Sequence, residues 1–330
     1  MKKILSLVTT TVIALTLTTN QTYASMQQNE NNDKEAQPEL KDDVITYGGN
    51  LDSQQKDDVR EKLEASKNDK SLDVTLDDVE QFTGVRYDHI YSSSVIEPKT
   101  LGKGVDVEIV TPDNITKITE EQYTNAAISA GIQNAKIRVA STVEPTTGDG
   151  ALTGIVKAYA EEGTDLNIED AKNANQEMSD LASISEENEN KDGYSDAAMN
   201  NAVADMKEQV AEEKEKNDEV SEDKIRSIVD DVLTEKGLDN AITDNQRNTL
   251  YNIVINVANS NVLQTDPKAF KKQLGDYKDQ LEKNHGDLLD KAKDKASELN
   301  TEENRNFLQK IWDAIVGFFQ WLWNLISRFI

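Results

Sequence analysis

The sequence predicts a mixed α/β (α+β) N-terminal domain followed by an α-helical C-terminal segment with a terminal hydrophobic amphipathic helix. Three observations lead there. Strand-period alternation, clearest in Val105-Asp106-Val107-Glu108-Ile109, is interleaved with capped helix starts over residues 44–162. Beyond Ser221 apolar residues recur at spacings of three and four. The last twenty-four residues, 307–330, hold all three tryptophans and four of the six phenylalanines.

The chain opens with Lys2 and Lys3, an apolar run over 4–17 and then Thr22-Tyr23-Ala24-Ser25. A charged start, a short apolar stretch and a small-residue site read as a secretory signal peptide over 1–24, cut after Ala24. The run is too short and too interrupted by threonines for a good spanning helix. There is no cysteine, hence no lipid-attachment site and no disulfide. Residues 25–43 are polar without apolar periodicity and read as a disordered leader.

Globular texture begins at Val44. Val44-Ile45-Thr46-Tyr47 reads as a strand, Gly48-Gly49 as a turn, and 53–63 as a helix with Val59 and Leu63 inward. Strand-like segments follow near 72–76 and 91–96, then at 105–109. Thr119 and Gln122 form a capping box, with Ile118 and Tyr123 at the positions of a hydrophobic staple, and Gly131 closes that helix. Ile137 and Val139 alternate with Lys136 and Arg138 in a further strand, and a helix over 151–161 ends the region. Residues 44–162 are therefore expected to fold alone as the α/β domain.

Composition then shifts. Residues 161–222 carry 20 acids and 5 bases, a net of −15, so 163–222 reads as an acidic linker with helices. Residues 223–300 form the helical segment. Ser221 opens a helix with Ile225, Ile228, Val229, Val232 and Leu233 on one face, and Gly237 closes it. A second starts at Asp244 and carries Leu250, Ile253, Val254 and Val257. Asp266-Pro267 is an N-cap followed by proline at N1, ahead of Phe270, Leu274, Tyr277 and Leu281. The pattern resumes after Gly286 with Leu288, Ala292 and Leu299, as in a two-helix antiparallel pairing or short coiled coil. Leu51-Asp52-Ser53-Gln54-Gln55 resembles Ile242-Thr243-Asp244-Asn245-Gln246, as two capped helix starts would.

Residues 301–330 form the membrane-seeking helix. On a helical wheel the eight non-apolar positions of 307–330, from Gln309 to Arg328, fall within an arc of about 100°, and apolar residues cover the rest. Phe307, Ile311, Trp312, Phe318, Phe319, Trp321, Leu322, Trp323, Ile326 and Phe329 are the lipid-binding candidates. Each Leu, Ile or Phe left in water forgoes about 1.5–3 kcal/mol, so the tail enters a membrane, a partner or its own domain. A net charge of −26 argues against nucleic acid and against simple attraction to anionic lipid, leaving apolar burial to hold membrane lipid. A homo-oligomer or an envelope protein partner is the other way to cover the tail.

Several of these segments resemble the exported family called domain of unknown function 1002. Val44-Ile45-Thr46-Tyr47-Gly48-Gly49-Asn50-Leu51 with Gln55 resembles its opening, as do Ile115-Thr116, Tyr123, Ala126-Ala127, Ala130-Gly131 and Ala135 further on. Most specific is Ala151-Leu152-Thr153-Gly154-Ile155-Val156-Lys157-Ala158-Tyr159. The resemblance is close over 44–162 and looser over 242–284, while 67–91 departs from it. It implies a secreted or cell-envelope protein of Gram-positive bacteria and leaves the activity open. The tryptophan-rich tail is not part of the resemblance.

Candidate chemistry is sparse. The loop Gly148-Asp149-Gly150 between a strand and a helix has the setting of a phosphate cradle, but no Lys-Ser/Thr follows and Asp149 repels an anion. Asn188, Asn190, Asp192 and Asp196 with Gly193 follow a calcium-loop rhythm. Asn188 stands for the first Asp and Met199 for the bidentate Glu, so any binding there is weak. His89 and His285 are the only histidines, too few for histidine-based zinc catalysis. His89 precedes Ser92, Ser93 and Ser94 without a nucleophile elbow. No cofactor is expected. The reading is a non-enzymatic, exported, membrane-associated envelope protein, with a two-carboxylate cell-wall hydrolase or a self-associating structural protein as alternatives. Sequencing the N-terminus of the exported protein is expected to begin at Ser25; an intact Met1 in the envelope fraction would overturn the signal-peptide reading.

Overall fold

The computed structural model describes residues 40–99, 104–162, 166–191, 193–217 and 219–299. Strands β1 (Val44–Gly48), β2 (Lys70–Val74), β3 (Ser93–Pro98), β4 (Val105–Ile109) and β5 (Ala135–Ala140) form one sheet in the order β2-β1-β3-β5-β4. β1 pairs parallel with β2 and β4 with β5, while β3 is antiparallel to both β1 and β5. Four strands thus point one way and β3 alone reverses.

Parallel neighbours need a crossover. Helix α1 (Ser53–Lys62) carries the chain from β1 to β2, opened by an Asp52–Gln55 capping box. Helix α2 (Leu76–Thr83) follows β2 and is absent from the sequence reading, which extended the strand to residue 76. Thr75 and Asp78 cap it reciprocally, and that box ends the strand at Val74. Helix α3 (Glu120–Ser129) joins β4 to β5 behind the expected Thr119–Gln122 box, and Gly131 follows it at φ +86.

Strand alternation sorts the sheet's side chains. Val44, Ile96, Ile137 and Val139 belong to the large core, while Ile45, Tyr47, Val95 and Ala140 pack with Val59 and Leu63 at α1. On that second face Arg138, 4% exposed, donates to the Leu63 carbonyl at 2.8 Å and to both Glu97 carboxylate oxygens at 2.7 and 3.2 Å. This fork ties the end of α1 to β3 and β5. Helix α4 (Asp149–Glu161) crosses the first face so closely that a Cβ on Gly154 would lie 2.4 Å from Thr46 Oγ1. Glycine is required there by the approach of helix to strand.

The acidic span 163–222 is not a linker. It forms α5 (Ile168–Asn188) and α6 (Asp196–Lys216), joined to α7 (Glu222–Glu235), α8 (Asp244–Ala258), α9 (Asn261–Thr265) and α10 (Pro267–Leu299). Every residue of α6 from Ala197 to Lys207 is buried. Small alanines let neighbours approach from all sides, as in a helix surrounded by protein. Its charges are answered in three dimensions. Asp205 meets Lys236 at 2.9 Å and Lys278 at 2.8 Å. Burial alone would raise Asp205, but these two lysines outweigh it and hold the carboxyl below its usual range.

At the junction of α3, α5 and α6 lies Lys207, 0% exposed. Its ammonium pairs with the 2% exposed Glu177 of α5 and donates to Ser129 Oγ at 2.9 Å and to the Asn125 carbonyl at 3.3 Å. Burial pushes Glu177 up and Lys207 down, and their mutual attraction opposes both shifts.

Phe270, Leu274, Tyr277 and Leu281 are buried as their spacing predicts. Their partner is α6: Lys271 pairs with Glu215, and Lys278 with Glu208 and Asp205, so the two helices run antiparallel. The expected pairing of 267–281 with the stretch after Gly286 is therefore replaced. Non-helical backbone at His285 (φ −131, ψ 20) changes the helical phase, so Leu289 is buried and Leu288 is exposed. The capping boxes of Asp52–Gln55 and Thr243–Gln246 account for the resemblance between those two segments.

Core residues of the sheet face, of α3 and of α5–α8 form one continuous cluster with α10. Residues 122–129 of α3 are all buried, which the α/β part cannot achieve alone. Against the expectation of an independent domain, a fragment of residues 40–162 is predicted to bind a hydrophobic dye and to melt without a cooperative transition. A sharp melt matching that of the whole chain would contradict the shared core. Lys207→Ala is predicted to cost about 3–5 kcal/mol by stranding Glu177. Lys207→Met combined with Glu177→Leu should recover most of that loss in denaturant unfolding. An unchanged midpoint for the single variant would remove the pair from its central place.

Candidate functional site

A surface cleft of about 280 Å³ opens at the end of the sheet where β1, β2, β4 and β5 finish. Crevices outside the carboxyl ends of strands are where open α/β sheets bind ligands. One wall is the segment entering β3, with Tyr87, His89, Ile90, Tyr91 and Ser92. The other is the segment leaving β5, from Glu144 to Thr147, joined by Thr116 and by Gly150 in the first turn of α4. The pairing of Ser93 with Ala140 brings these two segments together.

Each wall is held from behind. Ile90 donates to Asn50 Oδ1 at 2.8 Å and accepts from the Asn50 N–H at 3.3 Å, anchoring the first wall after β1. Tyr87 hydroxyl and Thr147 Oγ1 both donate to Asp149 Oδ2, at 2.7 and 2.6 Å, so one carboxylate ties the two walls. Burial, the Asp149 hydrogen bond and its charge push the Tyr87 phenol far above its ordinary range and keep it a neutral donor. Tyr123 hydroxyl donates to the Gly148 carbonyl at 2.7 Å and fixes the start of α4.

The residues free to meet a ligand are few. His89 and Tyr91 stack with centroids 5.6 Å apart and planes within 9°. Ser92 is 2% exposed and lines the floor, and its hydroxyl has no hydrogen-bond partner among the described residues. Its neighbours differ: Ser93 Oγ accepts from the Gly48 N–H at 3.0 Å, and Ser94 Oγ shares a 2.7 Å bond with Thr46 Oγ1. Among the described residues lining the cleft, Glu144 is the one carboxylate and there is no Lys or Arg. A phosphate cradle is therefore unsuited here, with Asp149 seated in the same helical turn.

The sequence had singled out the 148–150 loop, His89 and Ser92, without signalling that they meet. Tyr87, Tyr91, Glu144 and Thr147 carried no local pattern; only the pairing of β3 with β5 assembles them. The calcium-loop candidates lie elsewhere. Asn188 donates to the Ile184 carbonyl at 2.5 Å, Asn190 to Glu189 at 3.1 Å, and Asp196 accepts from Ser185 at 2.5 Å. Asp192 is outside the described residues. Among the described residues no group of three or more His, Asp and Glu is placed to hold a metal ion. The lipid-binding candidates from Phe307 to Phe329 also lie outside the described residues. Lys207 and Glu177 are sealed from solvent and so belong to the core.

A model of the family described as Protein of unknown function (DUF1002) matches residues 47–277. That span includes the acidic helices between residues 44–162 and 242–284. The chain is also similar to the Uncharacterized protein YpuA of Bacillus subtilis (strain 168), at 30% identity over 294 residues, covering 84% of this chain and 90% of that protein. No solved structure matches.

Proposed function

The chain belongs to the family described as Protein of unknown function (DUF1002), and we propose that it is an exported, non-enzymatic cell-envelope protein held at the outer face of the cytoplasmic membrane by residues 307–330. Its folded body binds or scaffolds there. One observation carries the reading. Among the described residues the large apolar side chains that stand exposed are Val85, in the loop after α2, and Leu288, in α10. The described residues thus offer no apolar seat to match residues 307–330, which on a helical wheel are apolar over about 260°. Lipid supplies that seat.

Charge and length agree with this assignment. The excess of acids, 62 against 36 bases, gives no attraction to anionic lipid, so apolar burial holds the tail. A helix of twenty-four residues would reach about 36 Å, against a hydrocarbon core of about 30 Å. Lys310, Asp313 and Arg328 stay away from the middle of that span, where each charge would cost about 2.5–3.5 kcal/mol. Among the described residues no helix is long and apolar enough to cross a membrane. Among the described residues lining the cleft there is one carboxylate, Glu144, whereas two-carboxylate hydrolysis needs a pair.

All three tryptophans lie in the tail, so their fluorescence reports on it directly. Neutral liposomes are expected to shift the emission to the blue and strengthen it, and a chain ending at Asn306 should leave the membrane fraction. Unchanged emission together with unchanged fractionation would overturn the reading. An assembly dispersed by detergent, with no response to lipid, would replace it with self-association through the tail.

A further inference from the structure

We propose that the cleft between the β3 and β5 segments binds a neutral sugar ring, with an N-acetylated amino sugar as the best fit. The inference rests on the reading of this body as a binding protein and is independent of how the tail is held. Its first support is Ser92. Ser92 is 2% exposed as a residue, and its hydroxyl, which meets no partner among the described residues, lines the cleft and can both donate to and accept from a ligand there. Satisfying it inside the fold was within reach, as the partners of Ser93 and Ser94 demonstrate.

The second support is the chemistry of the walls. His89 and Tyr91 offer ring faces to the apolar C–H side of a sugar, and Ile90 and Pro145 offer apolar contact to an acetyl methyl. Glu144 accepts from hydroxyl or amide N–H donors, and Ser92 both donates and accepts. Anions are disfavoured by Glu144, by Asp149 behind the wall and by the absence of Lys or Arg among the described lining residues. The volume of about 280 Å³, below the usual span for drug-sized ligands, suits one ring.

The third support is Gly150. A Cβ there would sit 2.7 Å from Ile90 Cγ2 and 2.9 Å from Ser92 Oγ, filling the floor beside the unpartnered hydroxyl. The Asp149 carboxylate, by holding Tyr87 and Thr147 together, keeps both walls in place before any ligand arrives.

The chain has two histidines, so a histidine-labelled sample of the full chain in neutral detergent gives two imidazole signals, one inside the cleft and one at His285. Titrating N-acetylglucosamine is expected to shift the His89 signal saturably and leave that of His285 still. Ser92→Ala should weaken this binding about tenfold, the worth of one lost hydrogen bond, while the thermal midpoint stays unchanged because no protein partner is lost. Glu144→Gln, at an exposed position, should weaken it too and gives a second variant that keeps the fold. No shift with N-acetylglucosamine or glucose would overturn the proposal. So would a shift produced by inorganic phosphate or tetramethylammonium in place of the sugars. Because the tryptophans report on the tail and His89 on the cleft, failure here leaves the membrane reading standing, and the reverse also holds.

Discussion

An ammonium group with no access to water forces the helices of this protein into one arrangement. Lys207 projects from the middle of α6 to the place where α3 and α5 converge, and it finds there Glu177, Ser129 and the Asn125 carbonyl. Two of those partners belong to the helix that crosses from β4 to β5, so the sheet cannot slide relative to the helical layer without stranding a charge. Apolar contacts tolerate small shifts of register, whereas a buried charge does not. Helix α6 also carries Asp205, whose two lysine partners fix α7 and α10. Through these ion pairs α6 holds the segments around it in register.

A lone reversed strand shapes the rest. With β3 running against its four companions, its entry lies beside their carboxyl ends. The cleft walls are the stretch that leads into β3 and the stretch that leaves β5. Arg138 on the opposite face, bonded to Glu97 and to Leu63, locks β3 against β5. Core order and site order thus descend from the same pairing.

Local chemistry was legible from the residues. The boxes at Thr119–Gln122 and at Thr243–Gln246, the Asp266-Pro267 start, the glycine after α3 and the alternation in β4 and β5 need only neighbours a few positions away. Helix α2 was missed because its eight residues are too few for a clear period, and its cap, Thr75 with Asp78, lies against a strand that reads as apolar. The phase of α10 beyond His285 was misplaced because a single non-helical residue moves every later side chain around the axis.

The sequence by itself determined that a mixed α/β part is followed by helices, together with most helix boundaries and the family, since each depends on periodicity or on short motifs. Only the tertiary structure decided that the most acidic span is core. Composition counts charges without regard to partners, and Glu177 and Asp205 meet lysines 30 to 73 positions away. The cleft was decided at the same level, because Ser92 and Glu144 have no pattern in common along the chain. They become neighbours through the pairing of β3 with β5, a long-range contact that no local signal encodes.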